Sequence, residues 1–434
     1  MNTAIYIGNQ EIAGHYKSVA KSLRSRGCRV TVVGAALYRR DPEKIEDKAV
    51  PRLYERAFMF RNRLKSAVLQ VAFGVLLNWT VGLVLLLWSL RHHKHYILYG
   101  GACFVHPSLD YRVLRAFKKT VVVNCGHGTE SRPPYLNSKF SGKPLFRIFL
   151  QTRLTKARLR AIERSADFVV GLPCLSHFFS RPLVSRDRLG KNAPVRVKTP
   201  AEAPDRRGPV RVIHIPSDPV SKGTGFVRDA VAYVAEQAGE DAVAYRFLEN
   251  LSHAEVMQTV EESDIIVTQM FSDIPWPTIA LEAAAVGVLP IVGGLDAPAW
   301  DVAYVHEDLD RPVFVRSEDV KQALLFYVQN PERRRWKAGA LNEFVQRCAD
   351  VDHVAANYMA LLTGDAPSDW FFDPNQVVSL GGDGMARDRR RGLLRRYIAA
   401  FGQEALLIPN RDRARALVQE AEGSSTAGGP VAVK

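Results

Sequence analysis

The segment at residues 264–294, DIIVTQMFSDIPWPTIALEAAAVGVLPIVGG, restricts the fold more than any other part of the chain. An apolar run at 265–270 leads into a Pro-punctuated loop. A small-residue helix follows with one acidic residue, Glu282, and then a second apolar run at 288–292. Two uncharged runs joined by a helix are the βαβ unit of a parallel sheet. In such sheets ligands bind beyond the carboxyl ends of the strands, here where the loop after Met270 meets the helix start at Thr278 and Ile279. The free amides of that first turn, with the helix dipole, attract an anion. Glu282 stands about one turn further in, and helical side chains tilt toward the N-terminus, so its carboxylate leans back to the same mouth. A carboxylate repels phosphate but accepts hydrogen bonds from hydroxyls, so the pair suits a sugar nucleotide. The alternative is an acid favoured by the dipole alone.

A second anion site lies upstream. Residues 210–217 read as a strand, followed by Ser221-Lys222-Gly223-Thr224-Gly225 and a helix at 226–237. Lys222 would stand at the end of the first strand of the same sheet, where a point charge reaches a diphosphate, and Gly223 lets the backbone approach closely.

The order strand, Lys-Gly, helix, Ser-Asp-Ile-Ile-Val, loop, then Ala-Leu-Glu-Ala-Ala-Ala-Val-Gly-Val-Leu-Pro-Ile-Val-Gly-Gly resembles the carboxyl-terminal domain of the family 4 retaining glycosyltransferases, of GT-B fold. The resemblance implies that Lys222 contacts the donor diphosphate and Glu282 the ribose. It also implies a glutamate eight positions before Glu282, near the transferred sugar. This chain has Ile274 there, with Asp273 beside it as the replacement if the loop shifts by one residue. An arginine five residues before the lysine is replaced by Ser217.

The amino-terminal half reads as another doubly wound unit, with strands at 3–8, 29–34, 96–99, 120–124 and 167–170 and a helix at 13–26 stopped by Gly27. The turn from Gly8 to Gly14 is a candidate substrate loop, or a plain turn, since it lacks the dinucleotide GxGxxG spacing. After the strand ending at Asn124 comes Gly126-His127-Gly128-Thr129-Glu130-Ser131-Arg132. This is similar to the family's His-Gly-Ser/Thr-Asp/Glu loop, which implies that His127 contacts the transferred sugar and Glu130 orients the loop or the acceptor. Arg132 is a candidate acceptor contact, against simple solvent exposure. The expected architecture is α/β, with two Rossmann-like doubly wound parallel-sheet domains facing across a cleft. The expected boundaries are 1–180 for the acceptor-side domain, 181–209 for a linker and 210–350 for the nucleotide-sugar domain. A crossover helix at 351–366 and a basic, partly disordered extension at 367–434 complete the chain.

At 434 residues with 47% hydrophobic and 24% charged side chains, both domains can bury a core. Five scattered cysteines show no metal or redox spacing, which fits a reducing cytosol, and the chain opens straight into a strand without a signal peptide. A net charge of +14 predicts an anionic partner. No zinc-finger or RNA-binding signature accompanies it, so nucleic acid is not expected. Residues 67–90 carry no charge and would span roughly 36 Å as one helix. Strands before and after this run should share one sheet, which excludes a single membrane crossing. It is therefore buried, interfacial, or re-entrant at Asn78-Trp79-Thr80, and the tryptophans favour the interface. Arg387, Arg389 to Arg391, Arg395 and Arg396 around Leu393, Leu394, Tyr397, Ile398 and Phe401 read as a basic amphipathic helix drawn to anionic lipid, or as solvated charge.

The expectation is a cytoplasmic enzyme, peripheral on the inner face of the plasma membrane. It would move a sugar from a nucleotide-sugar donor to a lipid-linked or cell-surface polysaccharide acceptor. No cofactor and no metal are expected, since Lys222 and the helix amides at Thr278 and Ile279 meet the diphosphate. Retention of anomeric configuration is implied by the resemblance alone. The rival expectation, motivated by Ile274, is a catalytically silent sugar-nucleotide-binding or scaffold protein of the same fold.

Overall fold

The structure is a computed structural model that describes residues 3–8, 15–33, 49–100, 103–126, 128, 130–190, 208–295, 312–377 and 384–423. Gly14, His127 and Thr129 lie outside the described residues, as do residues 191–207 of the expected linker and 424–434 of the tail. Predominantly apolar runs, rich in Val and Ile, form most of the strands. In the first lobe these are β1 (Ala4–Gly8), β2 (Arg29–Val33), β3 (His95–Tyr99), β4 (Thr120–Asn124), β5 (Phe168–Gly171) and β6 (Leu183–Ser185). In the second they are β7 (Val210–His214), β8 (Val243–Phe247), β9 (Ile265–Val267), β10 (Leu289–Gly294) and β11 (Val313–Arg316), and β12 (Phe371–Phe372) returns to the first. The sheet orders are β12-β6-β5-β4-β3-β1-β2 and β11-β10-β9-β7-β8. Every pairing is parallel except that of β12 with β6.

Alternate residues of β1 and β3 go to opposite cores, Tyr6, Tyr96 and Leu98 to one and Ile5, Ile7, Ile97 and Tyr99 to the other. Both faces of the sheet are thus covered, as parallel sheets require. Two expectations change at the edges. Residues 183–190, assigned to the linker, form β6 and the short helix Arg186–Gly190 of the first lobe. The strand expected at 210–217 stops at His214, and Lys222 ends a short helix, Pro219–Lys222, instead of standing in an open loop.

The helix Val351–Thr363 leaves the second lobe and packs Val354, Ala355, Tyr358 and Leu361 into the first. Asn124 donates to Tyr358 Oη at 3.1 Å, and Ser22 donates to Asp352 at 2.5 Å. Nearby, His15 is 4% exposed, and burial, with Arg186 next, lowers its pKa to about 3. An unfolded histidine titrates near 6.5, so below that pH the unfolded chain binds the extra proton and stability falls as pH falls. Between pH 7 and pH 5 this group alone should cost about 2 kcal/mol, measurable as a lower urea midpoint that His15→Gln flattens.

Residues 67–90 do not turn back at Asn78, which removes the re-entrant reading. One continuous helix, Val68–His92, runs through a π turn at Asn78–Gly82. Thr80 Oγ1 donates to the Leu76 carbonyl at 2.7 Å there, and a Cβ on Gly82 would stand 2.1 Å from the Phe104 carbonyl oxygen. A turn that widens the ladder beside a glycine lets the helix lie tight on the lobe without breaking. Leu77, Leu85, Leu86 and Leu90 are buried, but only 22% of the apolar window is. Val71, Leu76, Trp79 and Leu87 are each more than half exposed. The helix Leu145–Ser165, on the same core layer, also turns Phe146, Leu150 and Leu154 outward at i, i+4, i+8 spacing.

The tail departs from expectation more sharply. Its helix Arg387–Phe401 pairs with a second helix, Arg411–Glu422, and both pack on the first lobe. Leu393, Leu394 and Tyr397 are buried, Tyr397 lies 5.0 Å from the Tyr135 ring, and Phe401 stacks on Phe149 at 4.6 Å. Arg390 pairs with Glu420 at 2.7 Å, both buried. The apolar face assigned to lipid is thus committed to protein, because periodicity shows that a face will be buried but not against what.

Candidate functional site

The site forms where the carboxyl ends of β7 and β9 meet. Asp218 caps the helix Pro219–Lys222 by accepting from the Val220 and Ser221 amides, and Gly223 then adopts φ 73°. A left-handed backbone there favours glycine, and a Cβ would stand 2.7 Å from the Met270 Cβ. The turn is stitched to the β9 loop by the Met270 amide, which donates to the Lys222 carbonyl at 3.0 Å. Lys222 Nζ donates to Gln269 Oε1, Gln269 donates to Ser272 Oγ at 2.7 Å, and Ser272 donates to the Ile274 carbonyl. Under this turn His214 bridges the Val267 carbonyl at 2.7 Å and Thr224 at 3.0 Å, and burial lowers its pKa, so it stays neutral.

The helix Thr278–Ala285 begins after Pro277 with no side-chain cap. Its far end is fixed by Asn342, which donates to the Ala284 and Ala285 carbonyls at 2.9 Å. With no cap at the start, the first-turn amides at Thr278 and Ile279 are presented to an anion. Glu282 is partly buried and joined to His253 at 2.7 Å, whose own side chain is 72% exposed. His253 opens the helix His253–Glu261 behind a Ser252–Glu255 capping box. A cation, open amides and a carboxylate are therefore carried by the helices that follow two adjacent strands, β7 and β9, of one sheet.

Across the cleft, the described residues of the loop after β4 are held by several contacts. Glu130 is buried and accepts from Tyr99 Oη and from the Gly128 amide, both at 3.0 Å. Burial, and then the Glu130 carboxylate, hold the Tyr99 phenol well above its usual range, so it remains a donor. Arg158 and Arg186 donate to the Glu130 and Gly126 carbonyls. Arg132 forms an ion pair with Asp273 of the opposite lobe, 4% and 7% exposed. Arg132 is therefore buried rather than solvated, and the carboxylate expected to replace the missing glutamate is engaged. Ile274 packs with Phe314 on Leu172, Cys174 and Leu175 of the first lobe.

Gln269, His253 and Tyr99 were missed in the sequence. A glutamine inside an apolar strand run was a usable signal, whereas the other two depend on tertiary neighbours. The tail was missed as well. Gly384 donates its amide to the Phe271 carbonyl at 3.3 Å, and Arg389 lines a cavity of about 470 Å³ with Gly223, Thr224, Arg228, Phe247 and Glu249. That cavity flanks the Lys222 turn but is lined by none of Lys222, Thr278, Ile279 and Glu282. Among the described residues, no group of three or more His, Cys, Asp or Glu side chains converges as metal ligands do.

Two Rossmann-like lobes, with a seven-stranded sheet parallel except at its β12 edge and a five-stranded parallel sheet, facing across a cleft, define the GT-B architecture. Solved structures share it. A UDP-forming α,α-trehalose-phosphate synthase from Burkholderia xenovorans matches at 13% identity and TM-score 0.50, over 85% of this chain and 100% of its own. OtsA without ligand matches at 12% identity and TM-score 0.50, over 84% and 100%. OtsA described as trehalose-6-phosphate synthase matches at 10% identity and TM-score 0.50, over 83% and 99%. No protein-family model and no curated protein matches the sequence.

Proposed function

We propose that this protein is a glycosyltransferase that moves a sugar from a nucleotide-sugar donor to a lipid-linked or cell-surface polysaccharide acceptor, at the cytoplasmic face of the plasma membrane. The observation that carries the reading is the stitching of the Lys222 turn to the loop that leads into the uncapped helix bearing Glu282. In this reading the donor diphosphate lies between Lys222 and the amides at Thr278 and Ile279. The ribose displaces His253 from Glu282, and the sugar faces the first lobe, where the family resemblance assigns its contact to His127. Negative charge grows on the leaving diphosphate in the transition state, so these groups contribute most where it develops, and no metal is needed for that task. Solved proteins of this fold include UDP-forming trehalose-phosphate synthases, which supports glycosyl transfer as the chemistry. Retention is taken from the family resemblance.

Turnover of a labelled donor panel by wild type, Lys222→Ala and Glu282→Ala tests the assignment. The expected result is turnover of one donor, lost in both variants. A second reading, a silent sugar-nucleotide-binding scaffold, is favoured by the burial of Ile274 against the first lobe and by the engagement of Asp273 with Arg132. Donor binding without turnover in wild type would select it.

The membrane part of the proposal rests on the exposed side of Val68–His92. Wild type should float with anionic vesicles and stay bound in high salt, because apolar contact is not screened. The double variant Leu76→Ser with Leu87→Ser should be released by salt. Wild-type protein remaining in the soluble fraction would remove this part and leave the transferase assignment standing.

A further inference from the structure

The sheet edge opposite the cleft carries a pocket of about 620 Å³ where β1, β2, β3 and β4 begin and where the apolar helix Val68–His92 ends. Among the described residues its lining includes Arg29, Arg91, Lys94, Lys119, His93 and His95 and no carboxylate. Basic residues often sit at this edge simply to complement the negative ends of helix dipoles. Lys119 does so, donating to the Leu90 and His93 carbonyls at 2.7 and 2.8 Å. That role does not extend to the others: Arg29, Arg91 and Lys94 have exposed side chains with no ion-pair partner among the described residues. Deeper in, His95 is 4% exposed and its Nδ1 has no hydrogen-bond partner. Burial, with Lys94 beside it, favours the neutral imidazole.

The position of the pocket selects the occupant. The outward apolar stripe of the helix continues to Leu87, 59% exposed, and Arg91 follows about one turn later. At that junction Trp88, a ring type enriched at headgroup level, stacks on the His92 ring at 4.9 Å. A phosphate held by Arg29, Arg91 and Lys94, with His95 Nδ1 at its floor, would therefore lie where a bilayer touching the stripe presents its headgroups. The geometry points to a binding site for the phosphate of an anionic phospholipid headgroup, formed at the foot of the first-lobe sheet and separate from the donor cleft. This inference rests on the membrane seating proposed above. It supplies the specific contact that fixes the depth at which the apolar helix sits.

The test compares two charge-matched variants of the full chain on phosphatidylglycerol-containing vesicles. One removes the pocket cations, Arg29→Gln, Arg91→Gln and Lys94→Gln. The other removes exposed cations on or beside the helix Leu145–Ser165, Lys143→Gln, Arg147→Gln and Arg160→Gln. Each cation at an anionic surface contributes about fivefold to partitioning, so the pocket variant should bind about a hundredfold more weakly than wild type. It should also bind at least about tenfold more weakly than the other triple, with donor turnover unchanged. Equal loss in both triples would mean diffuse attraction and overturn the site. Binding by the pocket variant equal to wild type would also overturn it, leaving the apolar seating intact. Failure of wild type to bind any vesicle would overturn the seating itself. Glycerol 3-phosphate, added without vesicles, separates the sources. A rise in melting temperature that the pocket variant loses, with vesicle binding equal in both triples, would replace the lipid with a soluble phosphate compound.

Discussion

Lys222→Ala lowers kcat/KM by about 10²–10³-fold, the range found when one preorganised group is removed from a developing charge. The loss falls on KM as well as kcat, because the ammonium meets the diphosphate already in the bound donor and holds it more strongly as charge grows on it in the transition state. Gln269 makes the expectation sharper. Its carboxamide accepts from Lys222 Nζ and donates to Ser272, which holds the ammonium over the β9 loop before donor arrives. Gln269→Ala should therefore retain the charge but lose its position, giving a smaller fall than Lys222→Ala. Lys222→Ala turnover equal to wild type would place the diphosphate elsewhere.

Arg132→Ala destabilises the protein by about 3–5 kcal/mol, the cost of leaving one member of a buried ion pair without the other. The pair joins the loop after β4 to the loop after β9, so its loss is felt at the contact between lobes. Asp273→Ala should cost a similar amount, and the double variant much less than the two together, because it leaves no uncompensated charge. Urea midpoints at an unchanged slope read these values. A loss under about 1 kcal/mol for either single variant would show the pair to be solvated, as surface pairs are.

The second lobe was legible in the sequence where apolar runs are long and bounded. The 264–294 segment gave β9, the helix Thr278–Ala285 and β10, because uncharged runs separated by Pro and Gly admit few other arrangements. β8 and β11 were not legible. The first is a five-residue edge strand with no fully buried residue and Arg246 exposed, and the second follows residues of mixed polarity. β6 and β12, three and two residues long, are too short to carry a period. Near the candidate site, sequence placed Lys222 and Gly223 after β7 and Glu282 in the helix after β9, since those positions follow from strand order. The Arg132–Asp273 pair, the His253–Glu282 contact and the tail segment beside the Lys222 turn depend on how the lobes meet, which local pattern does not encode. The basic helix near residue 390 shows the same limit: its amphipathic face was correct, its partner was not.

A melting-temperature screen of nucleotide-sugar donors against wild type, Lys222→Ala and Glu282→Ala is the most direct check of the central claim. Ligand that binds only the folded state raises the midpoint in proportion to the logarithm of its concentration over Kd. One donor should raise it in wild type and leave it unmoved in both variants. A rise of the same size in all three proteins would contradict the donor site described here.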